Sequence, residues 1–267
     1  MPATRPAAVA GSFYPGEPAV LAAQVSTYLA AAACARDARP PKAIIAPHAG
    51  YVYSGPIAAS IYARLAPLRG RVRRVVLAGP AHRVFVRGAA VPAARAFETP
   101  LGTIELHAEA IATLRALPFV EQSDRAHALE HSLEVHLPFL QSTLGQFRLV
   151  PVVVGDATPD EAARLLDAVW GGDETLVVVS SDLSHYLPYE AARRRDRDTV
   201  DAILGLEARL VGEEACGAAP INGLLRVARR RGLGVELVDL RNSGDTAGDR
   251  DRVVGYASFA FSEAAGA

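Results

Sequence analysis

Cysteine is scarce: the 267 residues include two, Cys34 and Cys216, whose spacing makes neither a paired metal knuckle nor a disulfide framework. That scarcity suits a reducing compartment, so a cytoplasmic protein is expected. An excess of either charge is also missing, with 28 Lys and Arg against 29 Asp and Glu for a formal net charge of -1. Nucleic acid and anionic membrane are therefore not expected as partners, whereas a small-molecule substrate or a peptide is. No apolar run approaches the roughly 18 residues of a membrane span, and the N-terminus lacks the charged and apolar regions of a secretory signal. No repeat, low-complexity tract or composition break marks a linker, so residues 1–267 read as one domain. Half of the residues are hydrophobic, which excludes a disordered chain.

What the chain does have is a recurrent strand ending. Lys42 to Ala46, Val72 to Ala78 and Thr175 to Ser180 are short, β-branched, apolar runs of the kind buried on both faces of a sheet. They run into Pro47-His48, Gly79-Pro-Ala-His82 and Ser181-Asp-Leu-Ser-His185. Phe147 to Val154, Val235 to Leu240 and Val253 to Phe261 supply further strands, and Glu98-Thr-Pro-Leu-Gly102 punctuates a hairpin. Helices are expected over Pro18–Ala33, Ser54–Leu65, Ala108–Ala116, Thr158–Trp170, Tyr189–Leu206 and Ile221–Arg230. Ser54 is read as an N-cap with Pro56 in the first turn, and the run Arg193-Arg-Arg195, broken by Asp196 and Asp198, as a solvated helix face. Strands alternating with helices predict an α/β fold, a mainly parallel sheet covered on both faces.

In such sheets ligands bind beyond the carboxyl ends of the strands, where His48 and His82 both fall. One histidine there can merely cap its strand. Three at strand ends point to a shared site, and two neutral imidazoles with a carboxylate suit non-haem iron(II), while zinc or copper can also use them. His185 is read as a ligand or a general acid/base, and Asp182 as the group that fixes its tautomer or binds the metal; Asp182 and Ser184 also make good helix caps. His127-Ala-Leu-Glu-His131 matches the H-x-x-E-H zinc-peptidase pattern, but no other peptidase hallmark flanks it. The alternative is that His131, Glu134 and His136 open a helix, with His131 or Glu134 reaching the rim behind the ligands. Cys216, before Gly217 in a turn of small residues, reads as a packed apolar side chain, and neither cysteine is given a catalytic role.

Ala10-Gly-Ser-Phe-Tyr-Pro15, Ala46-Pro-His-Ala-Gly-Tyr51, Gly79-Pro-Ala-His82, Thr99-Pro-Leu-Gly102, Glu130-His-Ser-Leu-Glu-Val-His-Leu-Pro138, Ser180-Ser-Asp-Leu-Ser-His-Tyr186, Cys216-Gly217 and Val254-Gly-Tyr-Ala257 follow one another in an order that resembles the Memo family, also labelled AmmeMemoRadiSam system protein B and similar in fold to class III extradiol dioxygenases. The resemblance implies a three-layer αβα fold with a mainly parallel or mixed sheet. It implies that His48 and His82 bind metal, that His185 is the base, with Asp182 its orienter, and that Tyr51 lies at the pocket. Iron(II) is the expected metal, with Zn or Cu as alternatives, and association with AMMECR-type and radical SAM proteins is the partner expectation. In animal members a cysteine near the C-terminus is the third ligand. Counting back from Gly255-Tyr256-Ala257 places Thr246 there, so Asp245 beside it is expected to restore a two-histidine, one-carboxylate set. The activities implied are a dioxygenase-like redox enzyme, a peptide-binding adaptor using the same pocket, or a metal-dependent hydrolase.

Overall fold

The structure, a computed structural model, describes residues 3–32 and 39–263; Cys34 lies outside them. The chain begins with β1 (Thr4–Arg5), α1 (Pro18–Ala31), β2 (Ala43–Ala46), α2 (Tyr51–Tyr62) and β3 (Arg74–Pro80). An excursion follows: β4 (Ala89–Val91), the hairpin of β5 (Ala96–Thr99) and β6 (Gly102–Glu105), α3 (Ala108–Arg115) and β7 (Val120–Gln122). Three short helices, α4 (Asp124–Ala128), α5 (His131–Glu134) and α6 (Leu137–Leu144), lead to β8 (Arg148–Val154), α7 (Pro159–Ala168), β9 (Thr175–Ser180) and β10 (His185–Leu187). The last elements are α8 (Tyr189–Leu204), α9 (Ala218–Arg231), β11 (Leu233–Asn242) and β12 (Val253–Glu263). No helix among the described residues is long and apolar enough to cross a membrane.

The main sheet runs β10-β12-β2-β9-β3-β8-β4-β7, with β11 also paired to β12. Its centre, β2-β9-β3-β8, is parallel, and antiparallel partners flank it: β12 on β2 and β4 on β8. The sheet is therefore mixed, within the three-layer αβα arrangement. All residues of β2 and β9 are buried, and every residue of β3 and β8 after the first. The continuous apolar runs follow from this burial, since strands covered on both faces have no polar side to show. One cluster of buried apolar side chains extends from Val9 to Phe261.

Strand order explains why three distant loops meet. β9 lies between β2 and β3, so the loop carrying Asp182 is flanked by those carrying His48 and His82. Neighbouring strands are about 4.8 Å apart, which places the outer two loops within side-chain reach of one point. Ala46 and Ser180 are register partners, and His48 and Asp182, two residues beyond each, stand level.

Several local expectations need correction. α2 starts at Tyr51, not at Ser54, because the N–H groups of Tyr53 and Ser54 already bond the Gly50 carbonyl; Pro56 sits inside the helix. No helix begins at Asp182: its carboxylate accepts the His48 N–H instead, and β10 precedes α8, whose N-cap is Pro188. On α8 the arginines face solvent, but Asp196 turns inward and accepts the Ser184 N–H at 3.0 Å. Gly255 makes room for it, since a Cβ there would lie 2.0 Å from Asp196 Oδ2.

The N-terminal segment is tied to this frame by Glu134, which is fully buried. Its carboxylate accepts hydrogen bonds from Arg5 Nη1 (2.6 Å), the N–H groups of Ala8 and Val9, and the Tyr14 hydroxyl (2.6 Å). Arg5 also donates to the carbonyls of His127 and Glu130. Removing one partner of a buried, hydrogen-bonded ion pair leaves the other charge without compensation, at a cost of about 3–5 kcal/mol. Glu134→Gln is accordingly expected to lower the free energy of unfolding by about 3 kcal/mol, measured by urea denaturation.

Candidate metal centre

His48, His82 and His131 each direct a ring nitrogen to one place, the three atoms lying within 4.8 Å of one another. The His48 and His82 ring centroids are 5.2 Å apart, and His131 stacks on His82 at 4.7 Å. Phe13, from the segment that Glu134 anchors, packs on the His131 ring at 4.7 Å.

The hydrogen bonds behind the rings decide which nitrogens face the site. Ser180 Oγ has one proton, which it donates to the Ser132 carbonyl at 2.6 Å. Its contact with His48 Nδ1, at 2.5 Å, therefore has the imidazole as donor, and the Nε2 lone pair is left to the site. Glu130 performs the same service for His82, with Oε1 3.0 Å from Nδ1 and Oε2 accepting the His82 N–H. Burial pushes the Glu130 carboxyl up, but the hydrogen bonds from His82 and the Ser132 N–H outweigh it and hold the pKa at about 2. Glu130 thus accepts only, so Nδ1 of His82 donates and Nε2 is free. His131 Nδ1 is 3.4 Å from the same Oε1 without hydrogen-bond alignment and has no partner. Burial keeps His48 well below the ordinary imidazole pKa and brings His131 down to about 4, so both rings are neutral donors at neutral pH.

Two further groups lie against His48. Cys216 Sγ is 3.4 Å from His48 Nε2 and accepts the Asp182 N–H at 3.3 Å. Asp182 Oδ2 is 4.0 Å from the same nitrogen, while Oδ1 accepts the His48 N–H at 2.8 Å. Burial raises Asp182 to about 7 and Cys216 to about 12. Cys216 reaches this position because Gly217 lets the backbone press against β9; a Cβ there would lie 2.4 Å from the Ser180 carbonyl. The donor set suits a borderline metal ion: a nitrogen and a thiolate sharing one tetrahedral ion are about 3.5 Å apart, given metal bonds of about 2.0 and 2.3 Å.

The expected site is therefore partly regrouped. His48 and His82 are brought together, but His131, expected behind the ligands, stands among them. Asp245 belongs elsewhere: it closes a 3₁₀ turn, accepting the Asn242 N–H and the Tyr189 hydroxyl, and lines a separate cavity beside α8. A thiol does stand beside His48, that of Cys216, which was expected only to pack. Glu134 anchors the N-terminal segment and lies outside the site. Tyr51 is buried, donates its hydroxyl to the Val135 carbonyl and props the segment between His131 and His136 without lining the centre. His185 is at the start of β10, half-buried, with its pKa lowered by burial, and no side-chain hydrogen bond joins it to Asp182, which serves His48 instead. His136 is buried with its ring 6.5 Å from that of His48, hydrogen-bonded to the Tyr62 hydroxyl, and burial lowers it to about 3.

The H-x-x-E-H reading fails on helix continuity. His127 is in α4 and His131 opens α5, with a break at Leu129 and Glu130. His127 turns to the Ala90 carbonyl, 3.0 Å from Nε2, and packs on Phe97.

Residues 5–260 match the family model described as Memo-like protein. Proteins named MEMO1 family protein from Sulfolobus acidocaldarius and Aquifex aeolicus are 34% and 35% identical to this chain, and one from Ignicoccus hospitalis is 36% identical. Each of these pairings covers 96% of this chain and 98% of the relative. A crystal structure of the uncharacterized protein JW3007 from Escherichia coli K12 has a TM-score of 0.50 at 17% identity, covering 83% of this chain and 99% of that one, a likeness of fold alone.

Two outcomes follow from this geometry. Ser180→Ala removes the acceptor that fixes the His48 tautomer and is expected to weaken zinc binding by about 10- to 100-fold in a chelator-competition titration, with the fold intact by circular dichroism. His127, lowered by burial to about 4 from an ordinary 6.5, contributes stability that is present above about pH 6.5 and lost as pH falls through 4. Between pH 7 and pH 4.5, His127→Gln should therefore lose on the order of 2–3 kcal/mol less unfolding free energy than the parent, by urea titrations at the two pH values.

Proposed function

The chain belongs to the Memo-like family, and on that premise we propose that it is a metal-dependent redox enzyme, with iron(II) held by His48, His82 and His131 and the Cys216 thiol beside His48 as a further donor. The observation that carries this reading is the pair of enforced tautomers. Ser180 and Glu130 each accept a hydrogen bond from an Nδ1–H and leave the two Nε2 lone pairs free at the place where the His131 ring converges with them. When bound, the metal supplies Lewis acidity and a redox couple.

The protein's own part is proton handling and positioning. His185, kept neutral by burial, accepts a proton from a substrate hydroxyl near neutral pH. Asp182, poised at about 7, holds or releases a proton beside His48 Nε2 while its other oxygen fixes the His48 backbone. Tyr256, buried nearby and raised by that burial, stays protonated and can only donate or pack.

A second reading, docking of a peptide over the same centre, draws on the exposed apolar side chains beside the site residues. Phe85 follows His82 by three positions and is 80% exposed, Leu129 precedes His131 and is 66% exposed, and Tyr186 follows His185 and is 62% exposed. Anaerobic purification, loading with Fe(II), Zn(II) or Cu, and measurement of metal content and substrate-dependent O₂ uptake with catechol-like compounds separate the two. Stoichiometric iron with substrate-dependent uptake is expected, while binding of none of the three metals would overturn the enzyme reading. His82→Ala and Cys216→Ala are expected to lower iron content and Asp245→Ala to leave it unchanged. His185→Gln should retain iron and lose about 10²- to 10⁴-fold in turnover.

A further inference from the structure

At the amino-terminal ends of the same strands, opposite the metal centre, a cavity of about 1080 Å³ opens between the β5–β6 hairpin, α6 and the starts of β3 and β8. We propose that this cavity binds a phosphate-bearing small molecule, gripped by Arg74, Arg148 and His107, with Arg69 and Arg73 in its wall.

The register makes the case. Arg74 and Arg148 are direct partners on adjacent parallel strands at the cavity's edge, where Arg74 turns its guanidinium to Glu174 and the Thr175 hydroxyl and Arg148 reaches toward Glu105. Like charges opposite one another destabilise a sheet unless an anion lies between them. The protein's own anions compensate in part. Glu174 meets Arg74 at 3.0 Å, but Glu105 stands 3.7 Å from Arg148 and both members of that pair are exposed. Arg69 is held by the last carbonyls of α6, those of Ser142 and Thr143, so it is ordered without being neutralised. The Arg73 side chain has no hydrogen-bond or ion-pair partner among the described residues. The cavity thus carries four guanidinium groups against two carboxylates, in a chain whose formal net charge is -1.

His107 adds a neutral donor. Its Nδ1 accepts the Ala110 N–H at 3.3 Å as the N-cap of α3, so the proton resides on Nε2. Burial, then Arg74, lowers its pKa, with Arg148 contributing, and all three side chains line the cavity. Guanidinium forks and an imidazole N–H match the oxygens of a phosphate, and the volume accommodates a ligand of nucleotide size.

The test is calorimetric titration of the intact protein, at low ionic strength, with inorganic phosphate, tripolyphosphate and ATP. Saturable one-to-one binding of at least one is expected. Arg148→Ala and Arg73→Ala should each weaken it by about tenfold, added salt should weaken it further, and His82→Ala should leave it unchanged. Equal affinity for tripolyphosphate and ATP would support recognition of the phosphate chain alone, and tighter ATP binding would support recognition of the nucleoside as well. No saturable binding of any of the three, insensitivity to both arginine substitutions, or loss in His82→Ala would overturn the proposal. Both arginines are exposed, so a folding defect does not confound the result.

Discussion

A single hydroxyl proton, on Ser180, determines much of the arrangement at the upper end of the sheet. Because that proton goes to the Ser132 carbonyl, the oxygen is left as an acceptor, and the His48 ring can meet it only as a donor. The same bond ties the end of β9 to α5, the helix that carries His131. One interaction therefore sets a tautomer and a distance between elements 48 residues apart in sequence. Glu130 repeats the logic with a carboxylate, and each of the two groups meets its histidine ring as an acceptor.

The short segment from Glu130 to His136 does more than its length suggests. Glu130 orients His82, His131 enters the cluster, Glu134 captures Arg5 and the first turn of the chain, and His136 packs against Tyr62. One segment thus serves both the centre and the N-terminal anchor. Rigidity of the cluster and attachment of residues 5–14 are for that reason one structural problem. The opposite end of the sheet has another chemistry, with Arg74 and Arg148 paired in the β3–β8 register. A net charge near zero conceals this separation, since opposite signs cancel in a sum and not in space.

The parts of the fold visible in the amino-acid sequence were those governed by periodicity. Buried parallel strands have to be apolar throughout, so Ala43–Ala46, Arg74–Pro80, Arg148–Val154 and Thr175–Ser180 announced themselves, and His48 and His82 inherited a position from the strands they follow. His131 had no such signal, because it comes from a four-residue helix rather than a strand end. A lone cysteine in a small-residue turn has no pattern and reads as packing; the sulfur of Cys216 stands 3.4 Å from His48 Nε2 because Gly217 allows a close approach to Ser180. Asp245 was favoured by counting along the chain, but counting does not show that both its oxygens are occupied in a turn. Asp196 was assigned to a solvated face from its arginine neighbours, whereas helical geometry turned it toward Ser184. The bond from Arg5 to Glu134 spans 129 positions and leaves no local trace.

The position of β12 has a consequence for biosynthesis. This strand, the last of those described, pairs with β2 along one stretch and with β10 at His185 and Leu187. His185 acquires its place in the sheet from Val253 and Val254, which leave the ribosome long after His48 and His82. A chain emerging from its N-terminus can assemble the inner parallel strands and the imidazole cluster while the strand that seats His185 is still unmade. The order of synthesis thus makes the three clustered imidazoles available before the strand that seats the His185 ring.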